Sequence, residues 1–166
     1  MTSSGSSQAP GAEALGQRPV GIVGLGLIGG SLGLDLQARG LEVRALVHRS
    51  STAERARQRQ LAQQIDTDPQ VLQGCGLIVL ALPLDRLLDP PADLREALPT
   101  DAAITDVGSV KQPVLERWQS WHPRFVASHP MAGTAEAGVE AGITGLFAGR
   151  PCVATPTAHT DAGALT

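Results

Sequence analysis

Apolar positions along this chain come in short blocks separated by stretches of helical spacing. Val20–Val23, Leu41–Val47, Leu77–Leu82, Ala102–Val107 and Phe125–Ser128 read as buried strands. A weaker strand is signalled near Ile65 and one more at Cys152–Thr155. Between them, a helix is expected from the glycine-rich turn after Val23 through Arg39, stopping at Gly40 as a C-terminal glycine should. Ser51 to Glu54 has the S-x-x-E form of a capping box, which predicts a helix toward Gln63 with Arg55, Arg57 and Arg59 on a solvated face. Pro69–Gln73 suggests a short helix, and Leu84–Leu98 has helical spacing broken by Pro90 and Pro91. Val110–Trp121 is expected to be a helix whose Trp118 and Trp121, three apart, share one face against a sheet. Strands alternating with helices predict an α/β chain with a doubly wound, mostly parallel sheet.

The turn after the first strand reads Gly24-Leu25-Gly26-Leu27-Ile28-Gly29, a G-x-G-x-x-G pattern. In a glycine-rich chain the pattern alone is weak, but here it follows a strand and opens a helix. In that setting Gly24 makes the turn, Gly26 lets backbone approach a pyrophosphate, and Gly29 lets helix and strand pack closely. The helix N-terminus presents N–H groups to the anion. These six residues are the expected phosphate cradle of a Rossmann-type, dinucleotide-binding domain.

The second strand ends in Val47-His48-Arg49-Ser50-Ser51, where an NAD enzyme usually carries Asp or Glu. Arg49 can pair with a 2′-phosphate and the hydroxyls of Ser50 and Ser51 can donate to it, so NADP is expected over NAD. The plainer alternative keeps Arg49 solvated and Ser51 as a helix cap. His48 is placed near the adenosine, either stacked on it or exposed. Leu82 and Pro83, leaving the fourth strand, are expected to line the same site.

Composition narrows the function. The 166 residues suit one domain, and 42% hydrophobic content supplies a core. Thirteen basic against 16 acidic residues, net charge −3, leave no electrostatic footprint for nucleic acid. Aromatics at 2% with no Tyr argue against base-stacking platforms. Cys75 and Cys152 are too few for a disulfide scaffold and form no C-x-x-C pair, while His122 and His159 lack partners at metal spacing, so no metal is expected. A reducing cytoplasm fits, and no apolar run approaches a membrane span. Residues 1–18 read as a disordered leader, 19–157 as the dinucleotide-binding domain and 158–166 as a truncated tail.

In sheets of this kind chemistry gathers past the carboxyl ends of the strands. Two segments there carry polar groups: Asp106-Val107-Gly108-Ser109-Val110-Lys111 and Ser128-His129-Pro130-Met131-Ala132-Gly133-Thr134. Ser109 is expected to be the first hydroxyl past the fifth strand and His129 the first imidazole past the sixth, placed to face each other. A neutral imidazole oriented by a hydroxyl suits proton removal from a substrate alcohol during hydride transfer. The alternative is a histidine merely packed after a strand. Lys111 is the only lysine, as readily solvated or packed as ligand-bound. Thr134 and Glu136 fall in a loop over the site, Glu136 reading most simply as a helix-start acid.

Together with Val23–Leu32, these two segments resemble the prephenate/arogenate dehydrogenase family of tyrosine biosynthesis, over about Pro19 to Pro156. The resemblance implies oxidative decarboxylation of arogenate or prephenate, with hydride transfer to a nicotinamide, loss of carbon dioxide and aromatisation. It implies His129 as the catalytic acceptor for the ring hydroxyl and Ser109 near the nicotinamide, orienting that histidine. The Arg and Ser residues after the second strand resemble NADP-preferring arogenate enzymes of cyanobacteria and plants. It further implies a C-terminal helical domain, absent from this chain, that makes a homodimer and much of the substrate pocket, so the chain alone is expected to bind cofactor with little turnover. The alternatives are another Rossmann hydroxy-acid dehydrogenase and a catalytically silent nucleotide-binding fragment.

Overall fold

A computed structural model describes residues 17–165. The strands are β1 (Val20–Val23), β2 (Val43–Leu46), β3 (Gln64–Asp66), β4 (Leu77–Leu80), β5 (Ala103–Asp106), β6 (Phe125–Pro130) and β7 (Cys152–Thr155). They form one sheet in the order β3-β2-β1-β4-β5-β6-β7. β1 to β6 run parallel and β7 pairs antiparallel with β6. The helices are α1 (Leu27–Ala38), α2 (Ser50–Gln58), α3 (Leu84–Leu88), α4 (Ala92–Ala97) and α5 (Gln112–Gln119), with 3₁₀ turns at Pro69–Leu72 and Ala162–Ala164. This is the expected mostly parallel α/β fold. Strand order reverses between β1 and β4, which opens a crevice at their carboxyl ends.

Strands buried on both faces feed two cores. Ile22, Val43 and Ala45 pack with Ala53 and Ala56 of α2, and the partly buried Leu32, Leu34 and Leu36 of α1 pack against them. Val23, Leu46, Ile78, Leu80 and Ile104 pack on the other face with Leu87, Leu94, Val114 and Trp118. Trp118 is fully buried, stacks on Phe125 at 5.6 Å and donates its indole N–H to Leu87 O at 2.8 Å. Trp121 lies past the end of α5 and meets Trp118 edge-on at 5.6 Å, so it covers its neighbour more than it packs on the sheet.

Several sequence expectations are corrected. The capping box at Ser51 is not formed: Arg49 is the N-cap of α2 and no side chain caps it. That helix ends at Gln58, because Gln60 takes φ +54° and turns the chain so that Leu61 is fully buried. The arginines of α2 are not simply a solvated face. Arg57 donates to Ile65 O, and Arg59 donates to Val139 O at 2.6 Å and Gly142 O at 2.7 Å. α5 starts at Gln112, with Lys111 as its N-cap and a proline in its first turn. β6 runs two residues longer than expected, because β7 pairs with Ala127 through Pro130 and draws His129 into the ladder.

Both expected domain edges carry tertiary bonds. Arg18 forms an ion pair with Asp101 at 2.9 Å and donates to Gly74 O and Cys75 O. At the other edge Gln119 donates to Thr157 Oγ1 at 2.6 Å, and beyond it Arg124 pairs with Asp161 at 2.7 Å. Residues 1–16 and 166 of the expected leader and tail lie outside the described residues.

Candidate functional site

The glycine turn is built on three different steric demands. Gly24 has φ +93°, and a Cβ there would lie 2.5 Å from Ala81 O. At Gly29 a Cβ would lie 1.9 Å from Gly24 O, so only glycine allows α1 to sit this close to the turn. Gly26 is different: a Cβ there meets no protein atom within 4 Å. Its missing side chain leaves open space at the N-cap of α1, where no side chain caps the helix and the first turn carries no acid. An uncapped N-terminus with an open approach is a ready anion site.

That open space belongs to a cleft of about 490 Å³ over the carboxyl ends of β1 and β2. Of the residues expected to hold a cofactor, Gly24, Leu25, Gly26, His48, Arg49, Leu82 and Pro83 line it. Leu27, Ile28 and Gly29 are outside the lining, with Leu27 and Ile28 opening α1. Ser50 and Ser51 are exposed at the start of α2 and also lie outside it. Thr52 and Arg55 line the cleft instead, and Thr67 and Arg86 join them. The signal for the first two was present: Arg49, Thr52 and Arg55 are spaced three apart, which places them along one side of a helix. Asp66, at the end of β3, is not in the lining. Its carboxylate accepts the N–H groups of Asp68 at 3.1 Å and Thr67 at 2.6 Å, which hold its pKa below the usual carboxylate value. Among the described residues the one carboxylate lining the cleft is Asp93, from α4.

Ser109 and His129 lie outside this cleft. Ser109 is exposed just past β5, and His129 is half-buried in β6 opposite Val153. Among the described residues no hydrogen bond joins the two. What ties their two strands together is Asp106, which sequence reasoning passed over. Its fully buried carboxylate accepts from Ser128 N at 3.1 Å and Gly108 N at 3.0 Å and pairs with Lys111. Lys111 also donates to Ser128 O at 2.7 Å, so the lysine is an internal tie rather than a solvated residue. The only hint in the sequence was that Asp and Lys flank one loop.

The chain after Pro130 forms bends and turns, and no helix follows Glu136 among the described residues up to β7, so the helix-start role expected of Glu136 does not apply. Thr134 Oγ1 accepts from Glu136 N at 3.1 Å. The segment then crosses to the first helices. Arg55 pairs with Glu140 at 2.7 Å, Ile143 N donates to Ser31 Oγ at 2.9 Å and Gly145 N donates to Asp35 at 2.8 Å. In this way Gly138 and Val139 become a wall of the cleft. Among the described residues no group of three metal-ligating side chains gathers, and no helix is long and apolar enough to cross a membrane.

A mostly parallel sheet with this strand order, a glycine turn at the switch point and an open helix N-terminus are the marks of a nucleotide-binding domain. Comparison with known proteins specifies it. The family described as prephenate dehydrogenase, nucleotide-binding domain, matches residues 32–166, and the chain belongs to that family. It is 35% identical over 151 residues to the cyclohexadienyl dehydrogenase of Zymomonas mobilis, covering 88% of this chain and 52% of that protein. The crystal structure of Synechocystis arogenate dehydrogenase superposes with TM-score 0.78 at 37% identity, over 89% of this chain and 53% of that one. Prephenate dehydrogenase from A. aeolicus, in complex with hydroxyphenyl propionate and NAD+, superposes with TM-score 0.81 at 29% identity, over 89% and 54%. The chain therefore spans about half the length of these relatives.

Proposed function

We propose that this chain is the cofactor-binding part of an NADP-dependent dehydrogenase that oxidatively decarboxylates arogenate or prephenate. The observation that carries the reading is the cleft itself, where the glycine turn and Arg49 converge. Its residues fit a dinucleotide. Gly26 leaves room for a diphosphate against backbone, the N-terminus of α1 carries no competing acid, and the volume suits a ligand of this size. NADP is favoured because the β2 end brings a guanidinium and no carboxylate, while Asp66 is engaged by its own loop. Thr52 takes the hydroxyl role expected of Ser50 and Ser51. The A. aeolicus prephenate dehydrogenase, solved with NAD+, supports a dinucleotide as the ligand here.

When bound, the nicotinamide supplies the hydride acceptor. The chain's own groups do the rest. Backbone N–H groups of the glycine turn hold the diphosphate and Arg49 the 2′-phosphate. His129 accepts the hydrogen bond of the ring hydroxyl and stabilises the carbonyl character that develops as hydride leaves that carbon, with Ser109 orienting the imidazole. The electron pair of the bond to the departing carboxylate completes the aromatic ring, and carbon dioxide is released. The substrate is arogenate or prephenate, and partners such as a second copy belong to the same proposal.

Titration with both cofactors tests the first half: NADP is expected to bind about tenfold or more tighter than NAD, and Arg49→Ala to erase the difference. Tighter binding of NAD would overturn the preference. For the second half, His129→Asn in the whole protein is expected to keep cofactor affinity and lose turnover by about 100-fold or more, measured with each substrate in turn. Turnover retained in that variant would remove His129 from the mechanism.

A further inference from the structure

We propose that Asp106 is a positioning residue that aligns Ser109 and His129 through the backbone of their neighbours. This rests on the roles given to those two residues above. The two oxygens of its carboxylate face opposite ways. Oδ1 accepts from Ser128 N at 3.1 Å, one residue before His129. Oδ2 accepts from Gly108 N at 3.0 Å, one residue before Ser109. One buried group thus holds the last backbone step before each candidate catalytic side chain.

The clamp on Ser128 is complete. Besides its N–H, its carbonyl accepts from Lys111 Nζ at 2.7 Å, its Oγ donates to Asp106 O at 2.8 Å, and Thr105 Oγ1 lies 2.8 Å from that same Oγ. With every polar atom of Ser128 engaged from β5 or the loop after it, β6 cannot slide or rotate at His129 without breaking bonds to buried groups.

Two features argue against a purely structural purpose. Asp106 is fully buried, and burying an ion pair is a poor route to stability when apolar residues would serve. Lys111 is the N-cap of α5, where a cation opposes the helix dipole, and it is the only lysine in a chain that otherwise uses arginine. A compact ammonium can reach a carboxylate and a carbonyl together, whereas a planar guanidinium would demand a wider, forked arrangement.

The test compares Asp106→Asn, Lys111→Met, His129→Asn and the double variant Asp106→Asn/His129→Asn in the whole protein, reading kcat, KM, cofactor Kd and Tm. Asp106→Asn is expected to lower kcat about 100-fold, as misplacement of reacting groups does, with cofactor Kd within about threefold. The double variant should be no slower than His129→Asn within about threefold, because Asp106 acts through that imidazole. Losses that multiply, or a kcat within about threefold of wild type for folded Asp106→Asn, overturn the proposal. Should Asp106→Asn fail to fold, Lys111→Met carries the test: a drop in kcat of about tenfold at unchanged cofactor Kd is expected, and an unchanged kcat overturns the proposal. Full turnover in His129→Asn would instead sink the histidine assignment, and this inference with it, a result distinct from failure of Asp106 alone.

Discussion

A methyl group added at Gly26 meets nothing, whereas one added at Gly29 would lie 1.9 Å from a backbone oxygen. The two glycines of one motif therefore answer to different constraints: Gly29 to the fold, and Gly26, in the proposed function, to ligand approach. Gly26→Ala is expected to cost about 1 kcal/mol or less, the worth of a poorer N-cap, while weakening dinucleotide binding by about tenfold. Gly29→Ala should destabilise the fold by about 1–3 kcal/mol, since backbone must shift to admit the methyl. Denaturant melts with a cofactor titration on both variants check this; equal loss of stability in the two would refute it. At this scale the glycine turn and Arg49 were legible as positions lining the cleft, because their spacing is local. Asp106 was not: an aspartate at a strand end is unremarkable until a second strand brings Ser128 to it.

Among the elements, the segment from Gly138 to Gly145 has no regular structure, yet it forms one wall of the cleft. Arg59 holds it with bonds to Val139 O and Gly142 O, and Gly142 packs against Gly30 of α1. Losing two hydrogen bonds from a charged donor costs about 1.5–3 kcal/mol each at most, less where water can replace it. Arg59→Met is therefore expected to destabilise by about 2 kcal/mol and to speed amide exchange over residues 139–145 while the sheet stays protected; unaltered exchange there would refute the strap. On the other face, Trp118→Ala should cost about 3–5 kcal/mol, because a fully buried indole fills the space between Phe125 and Leu87. The elements themselves were largely legible from periodicity. Their ends were not, since tertiary contacts set them: Leu61 burying shortens α2, and pairing with β7 lengthens β6.

For the molecule as a whole, pH dependence should reveal His122. It is buried with Nε2 3.1 Å from Pro99 O, and burial, with Arg124 nearby, pulls its pKa below the ordinary 6.5, although the bond to Pro99 opposes this. The unfolded chain therefore takes up the proton more readily than the native one. Stability is full above pH 6.5 and falls as pH drops from there toward the native value. Asp66 and Asp101, both held below their ordinary 3.8, contribute stability that is lost only at lower pH, below that value. Thermal melts between about pH 7.5 and pH 5.5 should show a decline that is shallower in His122→Gln, which removes the titrating ring. An identical slope in the variant would exclude His122 as its source.

The alternation of apolar blocks, the glycine spacing and the absence of an acid after the second strand determined the fold class, the glycine turn and the expected cofactor. These depend on residues near one another in the chain, where spacing alone sets which side chains share a face. Only the folded sheet decided that Thr52 and Arg55 line the cleft, that residues 138 and 139 wall it, and that Asp106 and Lys111 clamp the residue before His129. Those contacts join groups from about 17 to 85 positions apart, and a hydrogen bond between distant residues leaves no periodic trace along the chain that makes it.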